Sequence, residues 1–234
     1  MSSSRAVMLS LWRDDVERNL AARALHLLKK SYTPMRWVWV VGDSSDDTEA
    51  VLRAIARYRA DKDITVIRHD TGIVGEDPNT RLARLSATAD AALDTIAAGD
   101  GMLVMHESDL RTPVDIVQRF VATGKSAVAG WPTLTVRGIT MFYDIWAYRV
   151  NGEKLTNDTP PPAEMFEVDS FGSCWMASAE DIRGGARCHG RGVLGICSDL
   201  REKGRTLWVD PSIPVVQPES LWKAQNHPHE AVVA

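Results

Sequence analysis

Apolar, strand-like runs alternate with amphipathic helical stretches through the first half of this 234-residue chain, and that alternation restricts the fold more than any other feature. Ala6–Leu11 reads as a buried strand, and Asp14–Lys30 as a helix with Val16, Leu20, Ala24, Leu27 and Leu28 on one side. Arg36–Val41, rich in β-branched and aromatic residues, is a second strand. It runs into Gly42–Thr48, a cluster of turn formers and N-cap residues that opens a helix over Thr48–Tyr58. Ile64–His69 is a third strand, Asp70–Asn79 a loop and Thr80–Ala98 a long helix. Gly101–His106 is a fourth strand, followed by the polar segment Glu107–Pro113 and a helix over Val114–Thr123. Such β-α repetition predicts an α/β fold with a mainly parallel central sheet and helices on both faces.

Beyond that point the regular alternation stops. Ser126–Trp131 reads as a strand, and the aromatic-rich Gly138–Gly152 as a strand pair or an acceptor-side loop. Asn157–Glu164 is an exposed loop, Phe171–Ala177 a strand, Ser178–Gly184 a short helix and Cys197–Lys203 a further helix. Thr206–Val209 and Ile213–Val216 are closing strands. Residues 1–218 are expected to form one domain, with 219–234 a C-terminal tail. A hydrophobic content of 44% is enough to give that domain a sizeable core.

Charge and cysteine usage exclude some classes. A formal net charge of −4 is not that of a general polyanion binder, although Arg183, Arg187, Arg191, Arg201, Lys203 and Arg205 make one stretch locally basic. The N-terminus lacks the apolar core of a signal peptide, and no apolar run approaches the roughly 20 residues that span a bilayer. Three cysteines, odd in number and late in the chain, need no disulfide framework. A soluble, cytoplasmic protein without a membrane anchor is the expectation.

Open parallel sheets bind ligands outside the carboxyl ends of their strands. Ser10, Arg13 and Asp14 fall there after the first strand, Asp43 and Ser45 after the second, and His106, Glu107 and Asp109 after the fourth. No strand–helix turn carries G-x-G-x-x-G or G-x-x-x-x-G-K-[ST], so a diphosphate at this edge would need its charge neutralised by other means. Two carboxylates at i and i+2, Glu107 and Asp109, can bind one hard cation, Mg²⁺ or Mn²⁺. By spacing alone the same acids suit a helix N-terminus, and Gly42–Thr48 an acidic cap. Convergence on one sheet edge is what favours a site.

Taken together these residues resemble the GT-A nucleotide-diphospho-sugar transferases, especially the family-2-like enzymes. GDSSDDT at Gly42–Thr48 is similar to that family's N-D-G-S-x-D-x-T after its second strand. LVMHESDLRTP at Leu103–Pro113 is similar to the D-x-D metal motif, with Glu107 in the first acidic position. GICSDLREKGRTLWVDPSIPVVQP at Gly195–Pro218 resembles the later segment, in which an acid opens a helix before the closing strands. The resemblance covers about residues 5–218. YDIWAYR at Tyr143–Arg149 and DSFGSCW at Asp169–Trp175 also look like the fungal mannan-polymerase-type mannosyltransferases.

The resemblance implies a metal-dependent glycosyltransferase that moves a hexose from a UDP- or GDP-linked donor to an acceptor hydroxyl. Ser10, Arg13, Asp14, Asp43 and Ser45 would line the nucleoside pocket, and Arg81 would reach the diphosphate. Glu107 and Asp109 would hold Mn²⁺ or Mg²⁺, with Gln217, His227 or His229 as the third ligand. Asp199 falls where inverting members place the catalytic base, although they usually carry two adjacent acids where this chain has Ser198–Asp199. Trp131, Trp146, Trp175 and Tyr148 suit stacking on a sugar or base, with Trp175 counted among the donor contacts; any one of them singly reads as core.

Two kinds of acceptor compete: a carbohydrate or lipid-linked one, and a hydroxymethylated base in DNA, as for some phage enzymes. The basic stretch favours the second and the net charge opposes it. A sugar nucleotidyltransferase would need a Gly-rich basic loop that Ser10–Asp15 lacks. A non-enzymatic nucleotide-sugar module would bind donor without turnover. The anomeric outcome stays open.

Overall fold

The computed structural model describes residues 5–14, 19–75 and 77–219. Its first half follows the expected alternation: β1 (Arg5–Trp12), α1 (Leu20–Leu28), β2 (Met35–Val41), α2 (Thr48–Tyr58), β3 (Asp63–Arg68), α3 (Pro78–Leu93), β4 (Asp100–His106) and α4 (Ile116–Ala122). The second half contains β5 (Ala127–Val136), β6 (Ile139–Phe142), β7 (Arg149–Val150), β8 (Glu153–Lys154), β9 (Phe166–Val168), β10 (Cys174–Ser178), α5 (Ala179–Arg183), α6 (Val193–Glu202) and β11 (Leu207–Gln217).

The central sheet has the order β3-β2-β1-β4-β10-β5-β11-β9, with β6 paired to β5. β3, β2, β1 and β4 are parallel neighbours, and β11 runs parallel to β5. β10 is antiparallel to both β4 and β5, and β9 is antiparallel to β11. The sheet is therefore mainly parallel.

Side-chain alternation splits the core into two layers. Val7 and Leu9 of β1, Val38 and Val40 of β2, and Leu103 and Met105 of β4 face a layer closed by Ala89, Ala92 and Leu93 of α3 and by Ile196, Cys197 and Leu200 of α6. Ala6, Met8 and Trp12, with Trp37, Trp39 and Val41, face the opposite layer, closed by Leu20, Ala24 and Leu27 of α1 and by Ile116, Val117 and Phe120 of α4. Helices thus cover both faces, as the continuous apolar strands require.

The irregular second half differs from expectation in three places. Gly138–Gly152 opens as the return strand of a hairpin: Val136 pairs with Ile139 across the two-residue turn Arg137–Gly138, whose φ values of 51° and 81° are both positive. The two closing strands are one strand, β11, whose register against β5 shifts between Asp210 and Pro214. Two prolines lie in that stretch, and Ser212 donates from its amide and hydroxyl to Asp210 Oδ1, which interrupts the ladder. The helix expected from Cys197 begins at Val193, because its apolar spacing continues upstream from Leu200 through Ile196. Among the described residues no helix is long and apolar enough to cross a membrane. The three cysteines are free and buried.

Candidate functional site

β1, β2, β4, β5 and β11 all end at one sheet edge, where antiparallel β10 begins. The segment after β4 is fixed there from several sides. His106, fully buried, bonds Glu107 O through Nδ1 (2.7 Å) and Thr112 Oγ1 through Nε2 (2.8 Å). Lys30 Nζ donates to Thr112 O (2.8 Å), Pro113 O (3.1 Å) and His26 Nε2 (3.0 Å). Arg23 donates to Ser108 O from Nε (2.9 Å) and to Ser108 Oγ (2.5 Å), with its guanidinium over the Trp12 ring. Arg111 and Val216 exchange backbone hydrogen bonds of 2.8 Å. The acid-bearing loop is therefore held by α1 on one flank and by the end of β11 on the other.

That second clamp brings Gln217 to Asp109. Gln217 Nε2 donates to Asp109 Oδ2 at 3.2 Å, the Gln217 side chain is 1% exposed, and its Oε1 has no hydrogen-bond partner among the described residues. Glu107 itself is exposed to solvent at this edge. Desolvation by the surrounding protein pushes its carboxyl well above the usual range, and the charges of Asp109 and Asp144 add to this while Arg81 opposes it. Sequence reasoning missed Asp144. Its Oδ2 accepts from Ser173 Oγ at 2.7 Å, and Ser173 directly precedes Cys174, which pairs with His106. A Cβ on Gly172 would stand 2.2 Å from Asp144 Oδ2, so glycine is what admits the carboxylate. Burial pushes Asp144 up, against the lowering effect of the Ser173 hydroxyl and the Ala147 amide. Tyr143 is pushed up by burial and by Glu107, Asp109 and Asp144. A signal for this acid existed in Y-D-I-W at Tyr143–Trp146, but nothing local says that it meets Glu107.

The expected nucleoside side is assembled at the ends of β1 and β2. Asp14 Oδ1 accepts from Ser45 N (2.8 Å) and Ser45 Oγ (3.1 Å), and Arg13 Nε lies 3.4 Å from Asp14 Oδ2. Asp43 accepts from Thr71 N (2.8 Å) and Thr71 Oγ1 (2.6 Å). Burial pushes its carboxyl up, but the Thr71 and Gly72 hydrogen bonds and Arg84 outweigh this and hold it below the usual range. Arg84 also donates to Ile73 O and Gly75 O, which shapes the loop facing Asp43.

Other expected residues fall elsewhere. Ser10 lies inside the sheet opposite Trp39 and is 0% exposed, so its hydroxyl does not open onto the edge. Trp175 is 1% exposed in the middle of β10 and packs against Phe171, leaving no face for a donor. Asp199 lies well inside α6 rather than opening it, and its Oδ2 accepts from Arg187 N (2.8 Å) and bonds His189 Nε2 (2.9 Å). His227 and His229 lie outside the described residues.

The basic stretch is largely neutralised within the fold. Arg187 pairs with Asp94 (2.7 Å), Arg205 with Asp181 (2.9 Å) and Arg201 with Asp169 (3.4 Å). Arg183 donates to Ala97 O and Asp100 O, and Lys203 to Gly184 O. Three of these cations, Arg187, Arg201 and Arg205, are thus paired with carboxylates, which weakens the stretch as a track for a phosphate backbone.

No family model and no curated protein matches the sequence. Solved structures of the same shape do exist. GalNAc-T7 with UDP, GalNAc and Mn²⁺ superposes with a TM-score of 0.67 at 10% identity, over 92% of this chain and 43% of that one. The mannosyltransferase PcManGT from Pyrobaculum calidifontis, in complex with GDP-Man and Mn²⁺, gives 0.62 at 12% identity, over 98% and 63%. TarS of S. aureus gives 0.62 at 12% identity, over 93% and 37%. The fold is that of the GT-A nucleotide-sugar transferases. The chain spans less than two thirds of the length of each of these proteins.

Proposed function

We propose that this protein is a metal-dependent glycosyltransferase that moves a hexose from a UDP- or GDP-linked sugar to an acceptor hydroxyl. The observation that carries the reading is Asp109 beside Gln217, whose buried Oε1 has no partner among the described residues, with Glu107 in the same loop and within the field of Asp109. Among the described residues no three His, Cys, Asp or Glu side chains stand together as a metal set. Two carboxylates and an amide oxygen are nonetheless hard donors of the kind Mn²⁺ and Mg²⁺ accept, and they fill only part of a coordination shell. Asp109 and Asp144 both push the Glu107 carboxyl up, and a cation among them would relieve that repulsion. Two of the proteins sharing the fold were solved with Mn²⁺ and a nucleotide or nucleotide sugar.

When bound, the divalent ion supplies neutralisation of the donor diphosphate and of the charge that develops as it leaves. Arg81, within the field of Glu107, adds a second positive charge for the phosphates. Asp43, held ionised, accepts from base or ribose, and the Arg13–Asp14–Ser45 group closes the pocket beside it. The acceptor oxygen forms a bond to the anomeric carbon, the bond to the diphosphate breaks, and the acceptor proton goes to a carboxylate. The resemblance assigns that base to Asp199, whose Oδ2 is bound to Arg187 N and His189, while Asp144 shares the field of Glu107.

Mn²⁺ or Mg²⁺ is expected to promote slow hydrolysis of a UDP- or GDP-hexose, read as nucleotide diphosphate release, and Asp109→Ala to abolish it. Unchanged hydrolysis and donor binding in both Asp109→Ala and Glu107→Ala would overturn the metal assignment.

A further inference from the structure

Glu107, Ser108, Asp109 and Leu110 form a β-turn, closed by Leu110 N donating to Glu107 O at 3.3 Å. Ser108 and Asp109 are its central residues, and neither has positive φ, as a type I turn requires. Turns of types I and II differ by a flip of the peptide between the two central residues. Here that peptide joins Ser108 to Asp109, so its orientation decides where the Asp109 carboxylate is carried. The bonds that hold the turn from outside differ in length. Glu107 N reaches Ser173 O at 3.4 Å and Gln217 Nε2 reaches Asp109 Oδ2 at 3.2 Å, both long. Arg23 donates to Ser108 O from Nε at 2.9 Å and to Ser108 Oγ from Nη2 at 2.5 Å. The first of these bonds grips the carbonyl of the central peptide itself, and a flip would break it. Both are charge-assisted, which makes them stronger than neutral bonds of the same geometry.

Arg23 is itself held in place by the fold. Its guanidinium lies over the Trp12 ring, 5.3 Å from the centroid. Trp12 is 2% exposed, and its ring meets Trp39 edge-on at 6.0 Å. The Arg23 backbone belongs to α1, whose Leu20, Ala24 and Leu27 are buried in the core. A core aromatic on one side and a packed helix on the other thus aim the fork, so that little freedom remains to be lost when the turn takes up a ligand. Lys30, seven residues on, ties the far end of the same segment through Thr112 O and Pro113 O. The two cations of α1 therefore divide the segment: Lys30 holds its exit and Arg23 the turn that bears the acids. Arg81 acts on the Glu107 carboxyl through its charge, whereas Arg23 meets the turn at its backbone.

We infer that Arg23 is the positioning residue of the acidic turn: by gripping Ser108 O it holds the Ser108–Asp109 peptide in one orientation and keeps Asp109 beside Gln217 for a divalent ion. The inference rests on the metal reading of Glu107, Asp109 and Gln217. Two measurements on the full chain test it. In metal-free protein, amide hydrogen exchange of a peptide spanning Glu107–Leu110 is expected to quicken tenfold or more in Arg23→Met, because the turn-closing Leu110 amide opens more often. Mn²⁺ affinity, from paramagnetic resonance of the free ion, falls tenfold or more in the same variant. Ser108→Ala, which removes the hydroxyl but leaves the carbonyl grip, changes either reading less than threefold. Arg23→Lys keeps the charge and the contact with Trp12 but not the fork, and changes both threefold or more. It carries the test where urea denaturation shows that Arg23→Met does not fold. Exchange and Mn²⁺ affinity equal to wild type in either folded Arg23 variant overturn the inference, as does a change in Ser108→Ala as large as in Arg23→Met. Failure of the metal reading registers separately, as absence of Mn²⁺ binding by wild type, while exchange still reports on the turn.

Discussion

Gln217 Nε2 donates to Asp109 Oδ2 across 3.2 Å, joining the last residue of β11 to the loop after β4. The Arg111–Val216 bridge fixes this approach, so the amide is aimed by backbone pairing. Its enclosed Oε1 lacks a partner among the described residues, a state that costs about 1–3 kcal/mol and that a cation beside Asp109 would relieve.

Replacing Gln217 by leucine keeps the volume and removes the oxygen. Mn²⁺ affinity, followed by paramagnetic resonance titration of the free ion, is expected to fall tenfold or more in Gln217→Leu. Gln217→His, which supplies a nitrogen donor, should retain binding. Equal Mn²⁺ affinity in wild type and Gln217→Leu would remove the amide from the metal shell.

Behind the loop, His26 accepts a hydrogen bond from Lys30, an arrangement that requires a neutral imidazole. Burial, then Lys30, Arg111 and Lys29, lower its pKa to about 4 from an ordinary 6.5. Between those values the unfolded chain takes up a proton that the folded chain refuses, so stability is lost as pH falls through this window. Wild type is expected to lose about 1–3 kcal/mol more than His26→Gln between pH 6.5 and 4, after allowance for the ring's partial exposure. Urea denaturation at both pH values checks this, and parallel losses in the two proteins would count against it.

The sequence made the parallel half of the sheet readable because each strand there is a continuous apolar run ending in a polar cluster. Asp43, Glu107 and Asp109 could be named as candidates for that reason, and Arg81 only through the family resemblance. What local pattern does not carry is pairing between distant segments. Asp144 enters the field of Glu107 only because β10 enters antiparallel, setting Cys174 against His106 and Ser173 beside the acid. Trp175 was named as a donor contact because an indole suits stacking on a sugar or base, yet β10 is an interior strand and buries it from both sides. Asp199 was given as a helix-opening acid by the family resemblance, whereas the helix starts at Val193 and runs through Gly195.

Those two acids can be separated by experiment. Asp199 Oδ2 serves the loop before α6, and replacing it by alanine strands Arg187 N and frees His189, a loss of about 1–3 kcal/mol readable by urea denaturation. Asp144 is held by the Ser173 hydroxyl and the Ala147 amide, beside a glycine where a Cβ would collide with it, in the field of Glu107. Asp144→Asn is therefore expected to lower kcat for transfer by about 10²-fold, the scale of a general-base contribution. Gly172→Ala should reproduce much of that loss by displacing the carboxylate, with overpacking costing about 1–3 kcal/mol. A drop of that size in Asp199→Asn at undiminished stability, with Asp144→Asn still active, would instead put the proton on α6.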